Sequence, residues 1–103
     1  MRVIEDLNET LHGLMAEDDG LHVIGEDILD PYGGAFKATK GLSSKYPDRV
    51  ITAPISEAGI VGFGTGMAMR SKPVIAEIMF GDFLTLASDQ LINHASKLGS
   101  VRA

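Results

Sequence analysis

Cysteine and tryptophan are both absent from the 103 residues. Without cysteine there are no disulfides, no thiolate metal sites and no cysteine nucleophiles. Histidine is scarce: His12, His22 and His94 stand far apart, which argues against a histidine-built metal centre, and none is expected on this chain. Basic residues are few, 9 against 14 acids for a formal charge of −5, so nothing draws a polyanion and nucleic acid is not an expected partner. No apolar run approaches the roughly 20 residues of a membrane span. Glu5 and Asp6 fall where a signal peptide needs an uncharged stretch, so a cytoplasmic protein without a membrane partner is expected. No repeat and no Pro/Gly/Ser linker divides the chain, and one domain over 1–103 fits its length.

What is present is a folding composition, 45% apolar and 22% charged. A chain this short buries roughly 60–65% of the surface its unfolded form exposes, enough for a core but with marginal stability. Val3, Ile4, Leu7, Leu11, Leu14 and Met15 recur at helical intervals and predict a helix over 3–17, closed by Gly20. The apolar run Leu21–Ile24 predicts a buried strand over 21–25. A helix follows over 35–46, then a strand over 49–52 that Pro54 cannot continue. Ser56 stands at the N-cap of a helix over 56–70. A strand over 73–79 and a helix over 82–98, capped by Asp82, complete the pattern. Helices and strands in alternation make an α/β fold: a three-layer helix–parallel sheet–helix arrangement with right-handed crossovers. Three strands leave both sheet edges open.

In open parallel sheets, ligands sit at the carboxyl ends of strands. The junctions here are Gly25-Glu26-Asp27, Ala53-Pro54-Ile55-Ser56-Glu57 and Met79-Phe80-Gly81-Asp82-Phe83. Two present a carboxylate beside apolar groups and the third presents aromatic rings. An acid in such a cleft loses hydration, which raises its pKa and lets it share a proton near neutrality. Residue chemistry therefore proposes a protonatable pocket with an aromatic wall, without naming the ligand. Glu57 taken alone is a first-turn acid favoured by the positive helix terminus.

Its surroundings are more specific. Glu57, Gly62, Phe63, Gly66 and Met67 follow a pattern of glutamate, four residues, glycine, an apolar residue, two residues, glycine and a further apolar residue. That pattern resembles a motif of thiamine-diphosphate enzymes. Gly25-Glu26-Asp27, Tyr32-Gly33-Gly34-Ala35-Phe36-Lys37, Glu77-Ile78-Met79-Phe80-Gly81-Asp82-Phe83 and Asp89-Gln90-Leu91-Ile92-Asn93-His94-Ala95 extend the likeness. Together they resemble the N-terminal, pyrimidine-binding, transketolase-like region of the β subunit of 2-oxoacid dehydrogenase first components. Pyruvate, branched-chain 2-oxoacid and acetoin dehydrogenases make up that group.

The resemblance implies oxidative decarboxylation of a 2-oxoacid with thiamine diphosphate. In such enzymes a glutamate bonds a ring nitrogen of the aminopyrimidine, favouring the imino form that takes the thiazolium C2 proton; Glu57 matches it. Phe83 matches the aromatic that stacks on the ring, Glu26 a second acid nearby, and Ile55 would line the same wall. Gly59, Gly62 and Gly66, with Gly64, weaken a helix by roughly 1 kcal/mol each. The resemblance puts that helix at a subunit interface, so these glycines are expected to serve self-association. The family holds the diphosphate and Mg²⁺ with a Gly-Asp-Gly motif that this sequence lacks. The resemblance thus implies half a site: a pyrimidine-binding domain, apparently truncated, completed by an α-type subunit. The alternatives are a catalytically silent fragment acting in subunit association, or another transketolase-like enzyme. His94 has no acid or metal partner in the pattern, and Met67, Met69 and Met79 suit core filling.

Overall fold

The computed structural model describes residues 2–97. Three strands, β1 (His22–Glu26), β2 (Val50–Ala53) and β3 (Val74–Ala76), form an all-parallel sheet in the order β2-β1-β3. Parallel neighbours need crossovers, and the helix α3 (Glu57–Met69) carries the chain from β2 across β1 to β3. Strand β1 is therefore central, with Glu26 opposite Ala53 and Ile24 opposite Ala76.

Alternation along β1 divides the core in two. Val23 joins Met15, Leu21, Ile28, Leu42 and Val50 on one face, beneath the helix α1 (Val3–Glu17). Ile24 faces the other side, with Ile60 and Phe63 of α3. This is the three-layer α/β arrangement the alternating pattern predicts. Among the described residues the outer edges of β2 and β3 have no strand partner.

Arg49 ties the first layer together. Its guanidinium donates to the carbonyls of Met15 (2.8 Å), Asp18 (2.6 Å) and Leu21 (3.3 Å), groups left open where α1 ends. The same group stacks on the Tyr46 ring at 4.5 Å.

The helix expected over 35–46 is confined to a single turn, α2 (Leu42–Lys45), preceded by a run of turns. Distant side chains take the backbone groups that a helix would pair internally. Asp30 accepts from the Gly41 amide at 2.8 Å and from the Ser44 amide and hydroxyl at 3.1 and 2.6 Å. Asn8 of α1 donates to the carbonyls of Ala38 and Lys40, both at 2.9 Å. Gly41 adopts φ 86, which a helix interior forbids and glycine allows.

The strand expected over 73–79 pairs over three residues only. The helix expected over 82–98 starts as a 3₁₀ helix (Gly81–Ala87) and passes into a π-helical stretch (Gln90–Ala95); its expected end at Leu98 lies outside the described residues. Asp82 does not cap it, because Phe80 occupies the cap position. Thr85 donates to the Asp82 carbonyl and Ser88 to that of Thr85, three-residue bonds that favour tight winding.

The Asp30 contacts hold its carboxyl down at about 2, chiefly through the Ser44 hydroxyl and the Gly41 amide. A depressed carboxylate contributes stability above its unfolded value of 3.8 and loses it as pH falls through about 2. Asp30→Ala is expected to cost on the order of 1–2 kcal/mol at neutral pH after solvent screening. Thermal melts at stepped pH should show that gap to wild type closing between 3.8 and about 2.

Candidate functional site

Strand β1 ends on a carboxylate and α3 begins on one. Glu26 is the last residue of β1, and Glu57 is the first of α3. The extended backbone of Ser56 (φ −170, ψ 87) turns the chain into α3, and its hydroxyl accepts the Gly59 amide at 3.1 Å. This cap brings Glu57 over the end of the central strand. Glu26 and Glu57 are only 5% and 6% exposed, an unusual burial for acids without a cation.

Burial is the main force raising the Glu26 pKa. The neighbouring Glu57 adds to it through a side-chain hydrogen bond and through its charge, and Asp27 adds further charge. The nearby Ser56 backbone opposes the rise. One oxygen of Glu26, Oε1, is buried with no hydrogen-bond partner among the described residues. The pair is thus desolvated and retains an acceptor unused among the described residues. Such an arrangement can hold a proton against a weakly basic nitrogen.

Beside the helix start lies an apolar cavity of about 330 Å³, lined among others by Thr52, Pro54, Ser56, Gly59, Ile60 and Phe63. Of the residues assigned from sequence, the structure brings Glu26 and Glu57 together. Ile55 is 83% exposed and stands outside the cavity lining. The Phe83 ring packs edge-on against Phe80 at 5.1 Å, which in turn meets Phe36 at 5.2 Å, an aromatic cluster separate from that lining.

The glycines of α3 differ from one another. A Cβ on Gly66 would meet nothing within 4 Å, whereas one on Gly62 would meet Gln90 at 3.1 Å. One on Gly59 would lie 2.7 Å from the Ser56 hydroxyl. Gly59 therefore packs against the cap within this chain. Sequence reading gave no role to Glu77, whose half-buried carboxyl is raised by desolvation and lies beside Gly34 while its Cβ packs behind Gly25. Its signals were a lone acid inside the Pro73–Met79 apolar run and its place at the head of a segment that carries the family likeness. No group of three or more potential metal ligands occurs among the described residues.

The transketolase, pyrimidine binding domain model matches residues 1–102, nearly the whole chain. The chain belongs to that family. Its pyrimidine-binding domain is 41% identical to 2-oxoisovalerate dehydrogenase subunit beta 2, mitochondrial, of Arabidopsis thaliana, over 94% of this chain and 27% of the relative. It is 40% identical to 2-oxoisovalerate dehydrogenase subunit beta of Pseudomonas aeruginosa, over 95% of this chain and 28% of that protein. Against pyruvate dehydrogenase E1 component subunit beta-1, mitochondrial, of Oryza sativa the identity is 42%, over 94% and 26% respectively. The domain spans about a quarter of the length of these relatives.

An acid whose pKa is raised in the fold contributes stability below its ordinary value, 4.5 for Glu26, and loses it as pH rises through the raised value. Glu26→Gln is therefore expected to melt several degrees above wild type at pH 8, with the advantage shrinking as pH falls toward 4.5. Thermal melts across that range check it.

Proposed function

We propose that this domain supplies the aminopyrimidine half of a thiamine-diphosphate site in a 2-oxoacid dehydrogenase. The observation that carries this reading is the buried Glu26–Glu57 pair with its unpartnered Glu26 oxygen, at the strand end where the family motif puts its glutamate. These residues fit the cofactor's pyrimidine: a ring nitrogen needs a desolvated carboxyl, and an orphaned acceptor awaits a donor. When bound, thiamine diphosphate supplies the nucleophilic carbon and the electron sink that decarboxylation requires.

The chain's own residues have separable tasks. Glu57 holds a proton against the ring nitrogen, and Glu26 keeps a second carboxyl beside it as a proton reserve. The apolar wall of Ile60 and Phe63 excludes water and strengthens the bond. Phe83 offers a flat face for stacking, and Ile55 an exposed apolar side chain suited to a site closed by another chain. Diphosphate and Mg²⁺ fall to an α-type subunit, because this sequence carries no Gly-Asp-Gly segment. Gly66 fits self-association through α3, since it faces open space among the described residues, whereas Gly62 faces Gln90 of the same chain.

Two outcomes follow. Glu57→Gln in an enzyme reconstituted with an α-type subunit is expected to lower decarboxylation by about 10²–10⁴-fold with assembly intact; full turnover would refute the role. Gly66→Ala is expected to raise the melting point of the isolated chain, by roughly 0.5–1 kcal/mol in stability, while weakening association measured by sedimentation.

A further inference from the structure

Glu77 is a half-buried acid with nothing to balance it. Its amide donates to the Ile24 carbonyl at 2.8 Å, which carries the backbone of β3 one residue further along β1. Its Cβ lies 3.1 Å from where a Cβ on Gly25 would stand, and its carboxyl oxygens lie 3.6 and 3.7 Å from the corresponding point on Gly34. Two glycines thus clear a slot for this side chain. Gly25 alternates with Ile24 along β1, so the slot opens on the α1 face of the sheet, away from α3. The ion pairs among the described residues do not include Glu77. Lys37, close in sequence to Gly34, is engaged elsewhere: its ammonium donates to the Tyr32 carbonyl at 2.6 Å and lies 3.9 Å from the Tyr32 ring centre. Desolvation of the unpaired carboxyl raises its pKa, so its charge costs the fold stability at neutral pH.

The same two segments carry exposed rings. Phe36 follows shortly after Gly34, and Phe80 shortly after Glu77. Their rings meet edge to face at 5.2 Å and remain 56% and 42% exposed. Asn8 fixes the loop behind Phe36 through the carbonyls of Ala38 and Lys40. A carboxylate without a cation, carried beside rings with open faces, matches the chemistry of a guanidinium: the acid accepts its N–H fork and a ring accepts its flat face. The net charge of −5 draws a cationic partner towards the chain. We propose that Glu77, Phe36 and Phe80 form a seat for an arginine side chain of a partner polypeptide, and that this partner is the α-type subunit. The identity of the partner rests on the half-site reading; the seat itself does not.

The seat is tested on the full chain by carboxyl and ring NMR during titration with N-acetylarginine amide, with N-acetylcitrulline amide as the uncharged isostere. Saturable shifts at Glu77, Phe36 and Phe80 are expected with the arginine probe alone. Glu77→Gln should weaken that binding about tenfold or more, the loss of one charge-assisted contact. Phe36→Leu should weaken it about threefold. Because Glu77→Gln removes an unpaired charge, it should melt no lower than wild type at neutral pH, which separates lost binding from lost folding. Equal responses to both probes, shifts spread over the other surface acids, or full affinity in Glu77→Gln overturn the seat. Sedimentation with an α-type subunit then tests the occupant. An arginine in the seat makes Glu77→Gln associate about tenfold more weakly. A partner that covers the carboxyl with apolar groups makes it associate more tightly, since no charge need then be buried; that result, or no change, overturns the assignment. A wild-type chain that associates with no α-type subunit sinks the half-site reading and the occupant with it, while the probe titration still decides the seat.

Discussion

Two carboxyl groups buried side by side resist being charged together, and the cost of that proximity organises the rest of this molecule. A carboxylate in a dry place loses hydration and repels its neighbour, which favours its protonated form. Glu26 carries the consequence, with its affinity for a proton raised first by burial and then by Glu57. A fold selected for stability alone would replace one acid with an amide. Two buried acids and an oxygen without a hydrogen-bond partner among the described residues are the feature on which the proposed function rests.

The sheet explains how so short a chain holds that geometry. Strand β1 is flanked on both sides, which puts its carboxyl end in the least solvated part of the sheet. The crossover through α3 then lands its first turn over that end, with Ile60 and Val61 buried beneath the helix. Farther off, Arg49 gathers the carbonyls at the end of α1, and Asp30 gathers the amides of the 41–44 turn. These contacts shape the layer opposite α3, away from the acid pair.

Much of the framework was legible in the residues. Apolar periodicity marks α1 and the three strands, and Ser56 announces α3, because those signals are local. The 35–46 segment misled because its composition suits a helix, whereas Asp30 and Asn8, 11 to 32 residues away, capture its backbone groups. No local pattern encodes such bonds. Glu57 was visible through its motif and Glu26 through its strand-end position; their contact depends on the landing of α3 and was not. The glycines read as one stripe, yet Gly59 answers to a hydroxyl, Gly62 to Gln90 and Gly66 to empty space. Likewise Asp82 reads as a cap, but ring packing among Phe36, Phe80 and Phe83 accompanies a start at Phe80 instead.

Family membership and the acid pair support the proposal that the chain offers an acidic wall for a flat heterocycle that another polypeptide anchors by its charged end. Calorimetric titration with thiamine diphosphate, run on the chain alone and again with an α-type subunit present, tests it most directly. The account predicts binding heat only when the subunit is present. Saturable binding by the chain alone, or none under either condition, would contradict it.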